Sequence, residues 1–503
     1  MKKVSFLFCL LLFISMTYFS LIGHAEANQD RNGVNTFNVS TEAELKRALN
    51  SIELKTNDII SINKSIEISQ PIEISKIIKI EGNGNYIHLK DTVKAGYIFK
   101  IENITGSKDC IFIENIRLKG NLDVTKPQVE LKEGGILIKN SAGIVLNDVK
   151  LNNFRGYGIY TEHTNNLKIN DCEIINFGFA GIMGYSVEDV KVVGGSVKGA
   201  YNGISSTTSK KPVAYNIAFS RKSHSSLQEF PISKNCLVEN VEIDSNRIWE
   251  GLDTHGGQNI KFINNIIKDV KVPIAAVPSE VNGEDTYAPQ DILIQGNLIE
   301  NTGEMGVDEV NKGIILSGAK YSSINPTGEP VEYTTGGKIK DNQIKGYGEY
   351  SGSPSTGAIS IQATKGAVVS GNVISRSYIS GITVYMQNIG FTIEKNYIDG
   401  FLESKSKFPA CITVKDKWNE GEINNNECFT IAYPKYLPVD LEKLQRININ
   451  HNFSSVRGVY VGTLDNVDVT AIGNRFGKGI GQAYRYMYLK AGKGESAVYS
   501  TKK

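Results

Sequence analysis

Short apolar–polar alternations fill the chain after residue 58 and indicate β-strands. Ile59-Ile60-Ser61-Ile62, Ile66-Glu67-Ile68 and Ile72-Glu73-Ile74 follow one another with only a few polar residues between them. Strict alternation over a few residues is typical of a strand with one buried face. The pattern therefore predicts a chain built mainly from short strands.

Residues 41–49 carry the best helical pattern. Ser40 or Thr41 can cap the N-terminus, and acidic residues occupy the first turn. Ala43, Leu45, Ala48 and Leu49 share one apolar face. A short helix ahead of stacked strands predicts a cap over the open edge of a solenoid's first coil.

A motif recurs along the chain: a small residue, an aliphatic residue and then a polar alternation. It occurs at Gly135-Ile136, Gly158-Ile159, Gly181-Ile182, Gly203-Ile204, Gly251-Leu252, Pro273-Ile274, Gly313-Ile314, Ala358-Ile359, Gly381-Ile382, Cys411-Ile412 and Gly458-Val459. The first aliphatic residues are 23, 23 and 22 positions apart, and longer steps fit one coil with an insertion or two coils. A period near 22 predicts a parallel β-helix.

A second pattern, aliphatic-x-x-Asn-x-aliphatic, has the same periodicity. Its asparagines are Asn297, Asn342, Asn372 and Asn396, with close variants at Asn265 and Asn426. Asparagine tolerates a left-handed backbone and can hydrogen-bond along a stack. The pattern predicts one tight turn per coil with the asparagine in it.

The N-terminus is typical of a secretory signal peptide over residues 1–27. Lys2-Lys3 precede an apolar run from Val4 to Ile22, and Ala25-Glu26-Ala27 offers a cleavage site. A retained membrane anchor is the alternative. We expect a secreted, soluble protein with a cap and first coils at 28–95, a β-helix at 96–477 and a tail at 478–503.

Charge and cysteine usage narrow the function. The 503 residues have a net charge of +2 and no long block of like charges, which disfavours nucleic acid or anionic membrane as the partner. After signal cleavage five scattered cysteines remain, without the spacing of a disulfide framework or a metal site. We expect mostly buried thiols, with a Cys411–Cys428 bridge as an alternative.

Side chains that flank the repeated aliphatic residue should form one external column per coil. The column contains Tyr157, Tyr160, Glu162, Met183, Tyr185, Asn202, Ser205, Thr207, Glu250, Asp253 and His255, followed by Lys312. Aromatic residues would then flank three ionisable groups, which is the layout of a sugar-binding groove. Long insertions at 207–235, 278–290 and 319–336 favour a binding face on this side.

Asp253 and His255 share one strand face, so the carboxylate can orient the imidazole as a general base or acid. Glu250 is close enough for two carboxylates to push one pKa upward, which gives a candidate proton donor. The alternative is that these polar residues simply cover an exposed sheet.

The repeat resembles the right-handed parallel β-helix superfamily of pectate lyases, polygalacturonases, carbon-5 epimerases and phage tailspikes, over roughly residues 35–480. Gly251-Leu252-Asp253-Thr254-His255 is similar to the Gly-Phe-Asp-Pro-His segment of mannuronan carbon-5 epimerases, with Asp253 and His255 at the matching positions. Glu250 replaces a Tyr of those enzymes, Thr254 replaces their Pro, and no Arg follows on the next coil. The polygalacturonase motif set is absent.

The resemblance implies an all-β, single-domain right-handed parallel β-helix that acts on polysaccharides. We expect a lyase that removes the carbon-5 proton of a uronate and eliminates the 4-linked sugar. His255 would be the base and Asp253 its orienting partner. The candidate carboxylate neutralisers are Arg221, Lys222 and Arg247, and the candidate proton donors are Glu250 and Tyr160.

Other residues are expected to contact the substrate, and other functions stay open. The expected contacts are Trp249, Arg247, Tyr157, Tyr160, Glu162, Tyr185, Asn202 and Lys312. The alternatives are an epimerase, a hydrolase using Glu250 and Asp253, and a non-catalytic polysaccharide-binding adhesin. We expect no cofactor or metal site; calcium is left open because exposed carboxylates on such folds often bind it. The oligomeric state is also open.

Overall fold

In the computed structural model, the described residues are 34–402, 410–415 and 419–427, together with isolated short strands before and after them. Within 34–402 the gaps are 94–95, 106–109, 122–132, 202–203, 206–211, 223–224, 282–283, 307–309, 320–331 and 350–356. The predicted signal peptide lies outside the described residues except for Ala27, and the tail lies outside except for Tyr499–Ser500. The proposed domain boundaries stay predictions.

The predicted helix is confirmed as α1, Glu42–Asn50. Thr41 caps it and accepts a hydrogen bond from the Glu44 backbone N–H at 3.2 Å. The Glu44 carboxylate in turn accepts from the N–H of Ser40, the residue before the cap, at 2.8 Å, which ties the start of the helix to the preceding chain. Leu45, Ala48 and Leu49 are buried.

The strands form three parallel ladders that run the length of the solenoid. The first, which we call the groove ladder, contains Ile72–Ile74, Gly96–Glu102, Glu133–Lys139, Tyr157–Glu162, Ala180–Tyr185, Tyr215–Ser220, the second halves of Glu242–His255 and Ile266–Val277, Ile314–Ser317, Gly357–Gln362, Ser380–Tyr385, Ala410–Lys415, Ile431–Tyr433 and Val459–Val461.

The second ladder contains Asn35–Val39, Ile59–Ile62, Lys79–Glu81, the first parts of Ile111–Lys119 and Ala142–Phe154, Asn165–Asn170, Glu188–Val193, Leu237–Glu239, Lys261–Ile263, Leu293–Gln295, Lys338–Lys340, Val368–Ser370, Ile389–Glu394, Glu420–Asn424, Gln445–Asn450, Val467–Ile472 and Tyr499–Ser500.

The third ladder contains Ile66–Ile68, Tyr86–Leu89, the second parts of Ile111–Lys119 and Ala142–Phe154, Glu173–Phe177, Ser196–Ala200, the first halves of Glu242–His255 and Ile266–Val277, Leu298–Glu300, Gln343–Lys345, Val373–Ser377 and Tyr397–Phe401.

The remaining described strands are short additions to this framework. Ala27–Gln29 lies antiparallel to Asn35–Val39. Two hairpins are formed by Ile204–Ser205 with Pro212–Val213 and by Ser279–Val281 with Glu284–Tyr287. Two parallel pairs are Thr334–Thr335 with Thr364–Lys365 and Phe453–Ser454 with Arg475–Phe476.

The predicted aliphatic repeat lies in register along the groove ladder with one exception. Ile182 pairs with Ile217 and not with Ile204, and Ile217 pairs with Leu252. Ile204 instead pairs antiparallel with Val213. The chain leaves the solenoid in this hairpin and rejoins it at Tyr215, so the predicted register at Gly203-Ile204 is wrong.

This shift changes one coil of the predicted column. Tyr215, Ala218 and Ser220 occupy the positions predicted for Asn202, Ser205 and Thr207. Asn202 itself lies outside the described residues. No observation therefore places it at the groove.

The predicted asparagine turns form a continuous buried ladder. Each side-chain amide donates to the next side-chain oxygen at 2.9–3.0 Å, through Asn265, Asn297, Asn342, Asn372, Asn396 and Asn426. The left-handed residue is one position earlier than predicted, at Asn264, Gly296, Asp341, Gly371, Lys395 and Asn425. The ladder asparagines thus satisfy backbone groups and do not make the bend themselves.

The interior is filled by stacked aliphatic and aromatic side chains from all three ladders. Cys110, Cys172, Cys236 and Cys411 are buried, as expected for thiols that pack as small hydrophobic groups. Cys428 lies outside the described residues. Within the part of the chain that the structure describes, no helix has the length and apolarity to cross a membrane.

Candidate functional site

A backbone irregularity in strand Glu242–His255 positions the site. The pairing with Ile266–Val277 shifts between Asn246 and Glu250. Asn246, fully buried, donates to the carbonyls of Ala214 and Glu250 at 3.0 and 2.9 Å. Its side-chain oxygen accepts from the Trp249 N–H at 3.1 Å. These bonds hold the irregular segment that leads into Glu250.

Glu250, Asp253 and His255 converge at one point. His255 Nε2 lies 3.4 Å from Asp253 Oδ2 and 4.0 Å from Glu250 Oε2. One ligand atom from each residue lies within 4.8 Å of the other two. Asp253 is fully buried and Glu250 is 4% exposed. We call this group the buried triad.

Burial dominates the electrostatics of the two carboxyl groups. Desolvation, with a contribution from Asp253, raises the pKa of Glu250 to about 8, against smaller lowering effects of His255 and the Trp249 side chain. Desolvation also raises the pKa of Asp253 well above its ordinary value, although the Thr254 backbone N–H opposes it. Two carboxylates this close and this buried disfavour a doubly charged state.

The imidazole of His255 turns both nitrogens inward. Nδ1 lies 3.2 Å from the carbonyl oxygen of Pro278, and the carbonyl can only accept, so Nδ1 carries the proton. Nε2 is buried and has no hydrogen-bond partner. The side chain is 30% exposed, and the Tyr215 ring meets it edge-on at 6.5 Å. In this arrangement His255 does not present a basic nitrogen to a substrate.

The hairpin of Ser279–Val281 and Glu284–Tyr287 lies beside His255. Gly256 has a φ of +66°, and a Cβ there would lie 2.9 Å from the Tyr287 carbonyl oxygen and 3.2 Å from the Ser279 side chain. Only glycine accommodates both the left-handed backbone and this close approach. The hairpin therefore packs directly against the strand that carries the triad.

Arg221 supports this hairpin and a neighbouring loop. Its guanidinium donates to the carbonyls of Phe230, at 3.1 Å, and Ser225, and it lies 5.5 Å from the centre of the Tyr287 ring. The residue is 2% exposed. Two of its guanidinium nitrogens are therefore engaged by loop carbonyls, and the third is buried without a hydrogen-bond partner, so Arg221 is not exposed as a carboxylate neutraliser.

The other predicted neutralisers are paired away from the triad. Arg247 is half-exposed and lies 3.4 Å from Glu304. Lys222 donates to Glu162 at 2.7 Å. Trp249, half-buried, has Lys271 5.6 Å from its ring centre, and Lys312 lies two residues before Ile314 of the groove ladder.

A row of aromatic rings covers the outer face of the groove ladder on the coils that precede the triad. Tyr157 and Tyr160 pack edge to face at 5.0 Å and are 5% and 8% exposed. They are therefore covered by their neighbours and offer little ring surface to a ligand. Tyr185 and Tyr215 keep partial exposure. The row also contains Tyr97, Leu137, Phe179, Ala180, Met183 and Ala218.

A second polar group lies at the end of this row. Glu162 accepts from Lys222 at 2.7 Å and from the Tyr160 hydroxyl at 2.5 Å, and Lys139 lies 3.9 Å away. Although burial raises the pKa of Glu162, these hydrogen bonds outweigh it and the net pKa is lowered. The group has two cations and one carboxylate. We call the two cations, Lys139 and Lys222, the lysine pair.

Sequence reasoning missed several residues of this face. Tyr215 was assigned to an insertion, although Tyr215-Asn216-Ile217 repeats the outward–inward alternation of the other coils. Lys139 pairs with Glu162 of the predicted column on the next coil, and Phe179 packs against the aromatic residues of that column. Tyr287 had no signal, because its place depends on the fold of an insertion.

One family model matches part of the chain. Residues 134–282 match the family described as right handed beta helix region. Together with the three parallel ladders, this match confirms the predicted right-handed parallel β-helix, and with it the resemblance to that superfamily at the level of the fold. No curated protein matches the chain.

The chain is also similar, at 11–14% identity, to solved structures of several kinds of protein. One is the catalytic domain of a GH87 α-1,3-glucanase in complex with nigerose (11% identity, TM-score 0.48, 95% of this chain and 71% of that chain). Another is the A-module of the Azotobacter vinelandii mannuronan C-5 epimerase AlgE4 (14%, 0.46, 82% and 96%). A third is the Streptococcus pneumoniae surface protein and adhesin PfbA (13%, 0.41, 87% and 91%).

Proposed function

We propose that the chain is a secreted enzyme that cleaves a uronate-containing polysaccharide by β-elimination along the groove ladder. The observation that supports this most directly is the arrangement of the buried triad, the partly exposed Tyr185 and Tyr215, and the lysine pair on one face of the solenoid. Aromatic side chains can stack on sugar rings, while charged groups take hydroxyl and carboxylate groups.

The lysine pair is the part of this face suited to an acidic sugar. Lys139 and Lys222 have side chains 34% and 39% exposed, and with Glu162 they leave one net positive charge. Glu162 and His255 are three coils apart on the ladder, which is about 14 Å at the usual strand spacing. The lysine pair would therefore hold a uronate about 14 Å from the triad along the solenoid axis.

The phenols of Tyr185 and Tyr215 are the proton-transfer groups that this proposal places at the substrate. Elimination needs proton transfer at carbon 5 and at the leaving oxygen, and positioned side chains contribute typically 10²–10⁴-fold. This assignment replaces the expected role of His255, whose nitrogens face inward.

The test is ultraviolet absorbance during incubation with alginates, pectates, glycosaminoglycans and bacterial capsules. A rise from a new carbon–carbon double bond on one substrate is expected. Tyr185→Phe and Tyr215→Phe should each lower the rate at least about tenfold. Tyr86→Phe is the matched control, because Tyr86 is exposed on the third ladder.

Other results would redirect the assignment. New reducing ends without a double bond would show hydrolysis and overturn the elimination. Saturable binding without any product would identify a binding protein. Carbon-5 proton exchange without cleavage would identify an epimerase.

A further inference from the structure

We propose that the buried triad binds one divalent transition-metal ion of the zinc or manganese type. Glu250 Oε2, both Asp253 carboxylate oxygens and His255 Nε2 are buried and lack hydrogen-bond partners. Buried polar atoms are nearly always paired, and each unpaired one costs about 1–3 kcal/mol. Four such atoms at one point indicate a ligand.

The distances fit such an ion. Zinc binds imidazole nitrogen and carboxylate oxygen at about 2.0–2.2 Å, so two of its ligand atoms are separated by no more than about 4.4 Å. The separations of His255 Nε2 from Asp253 and Glu250 are 3.4 and 4.0 Å. An ion can therefore be placed among the three with little movement of the side chains.

The donor types favour a transition metal over calcium. Calcium takes six to eight oxygen ligands, whereas a neutral imidazole nitrogen suits zinc, manganese or related ions. Two carboxylates with a neutral imidazole carry two negative charges, which a divalent cation cancels. The ion would thereby offset the penalty of burying Glu250 and Asp253 side by side.

The surroundings prepare His255 as a ligand. Its Nδ1–H donates to the Pro278 carbonyl oxygen, which leaves the lone pair on Nε2, the atom that faces Asp253 and Glu250. Metal-ligating histidines commonly donate their other N–H to a backbone carbonyl or a carboxylate. The sequence already places Glu250, Asp253 and His255 together, but only the structure shows that four of their buried atoms lack hydrogen-bond partners.

The first test is metal content of the full chain without substrate. The protein is stripped with a chelator, incubated with Zn²⁺, Mn²⁺, Co²⁺ or Ca²⁺, and separated from free ions before elemental analysis. We expect about one transition-metal ion per chain, a higher thermal midpoint on loading and no retained Ca²⁺. No retained ion and an unchanged midpoint would overturn the proposal.

Variants locate the ion. Asp253→Asn and His255→Gln should each lower affinity at least about tenfold, while His88→Gln leaves it unchanged, because His88 is a half-buried histidine on the third ladder, 3.7 Å from Glu67. Equal retention in the first two variants would overturn the site. If they do not fold, electron spin echo spectra of the Mn²⁺-loaded wild type must show one histidine nitrogen.

These measurements use no polysaccharide, so they are separate from the test of β-elimination. A chain that binds metal and cleaves nothing would retain the metal site and lose the proposed function. A chain that cleaves uronates without retaining metal would do the reverse.

Discussion

Asn246 and Asn216 are joined by a fully buried hydrogen bond, from Nδ2 of Asn246 to Oδ1 of Asn216, at 3.0 Å. The two residues lie on different coils and are thirty positions apart. Because Asn246 also bonds the Glu250 carbonyl, the position of the triad depends on this contact between coils.

Replacing Asn246 by Ala should destabilise the chain by about 2–4 kcal/mol, since several buried polar groups lose their partners. It should also displace Glu250 and weaken the triad. The denaturation midpoint in urea measures the first effect. Asn63→Ala is the control, because its side chain is exposed; a similar loss there would contradict the explanation.

Gly371 and Gly366 allow the left-handed bend to be separated from close packing. Both have φ near +70°, so Ala costs about 1–2 kcal/mol at either position through the backbone alone. A Cβ at Gly371 would fall on the Asp341 carboxylate, whereas nothing lies within 4 Å at Gly366. Gly371→Ala should therefore be the more destabilising; equal midpoints would exclude the steric effect.

The ionised carboxylate of Glu162 should make the stability of the folded chain sensitive to acid. Although burial alone would raise its pKa, hydrogen bonds from Lys222 and Tyr160 bring the net pKa below 4.5. A lowered pKa contributes stability that is complete above the unfolded value and is lost as the pH falls through the folded value.

Unfolding measured between pH 6 and 3 should thus show a steeper loss in wild type than in Glu162→Gln. The same substitution leaves the lysine pair with two uncompensated cations, so it should raise salt sensitivity as well. A parallel pH dependence of the two proteins would refute the role assigned to Glu162.

The tautomer of His255 is directly observable. Nitrogen-15 spectra of histidine-labelled, metal-free protein should show that Nδ1 of His255 carries a proton, because the Pro278 carbonyl accepts it. His88, which is half-buried and lies 3.7 Å from the Glu67 carboxylate, provides the comparison. Protonation of His255 at Nε2 alone would contradict the hydrogen bond.

The sequence repeat determined the ladder register wherever the chain stays in the solenoid. Ile204 and Ile217 have the same local pattern, and only the antiparallel pairing of Ile204 with Val213 removes the former from the stack. That pairing depends on how an insertion folds, which periodicity does not encode.

Part of the site followed from strand alternation alone. Asp253 and His255 share a face because they are two residues apart, and Glu250 joins them across the small residue of the repeat, as Tyr157 joins Tyr160 on another coil. The fate of Arg221 was inaccessible, because its charge suggested substrate contact while its donors bind loop carbonyls. Local pattern cannot reveal such tertiary partners.

One turn column changes its chemistry at the coil that holds the triad. Cys172, Gly195 and Val241 occupy successive positions before it, and Asn265 begins the amide ladder after it. At this turn the coils are therefore joined by backbone hydrogen bonds before the triad, and by buried side-chain amides as well after it. The strand that carries the triad begins directly after Val241, whose N–H donates to the first side-chain amide of the ladder, so the triad lies on the coil where the two kinds of turn meet.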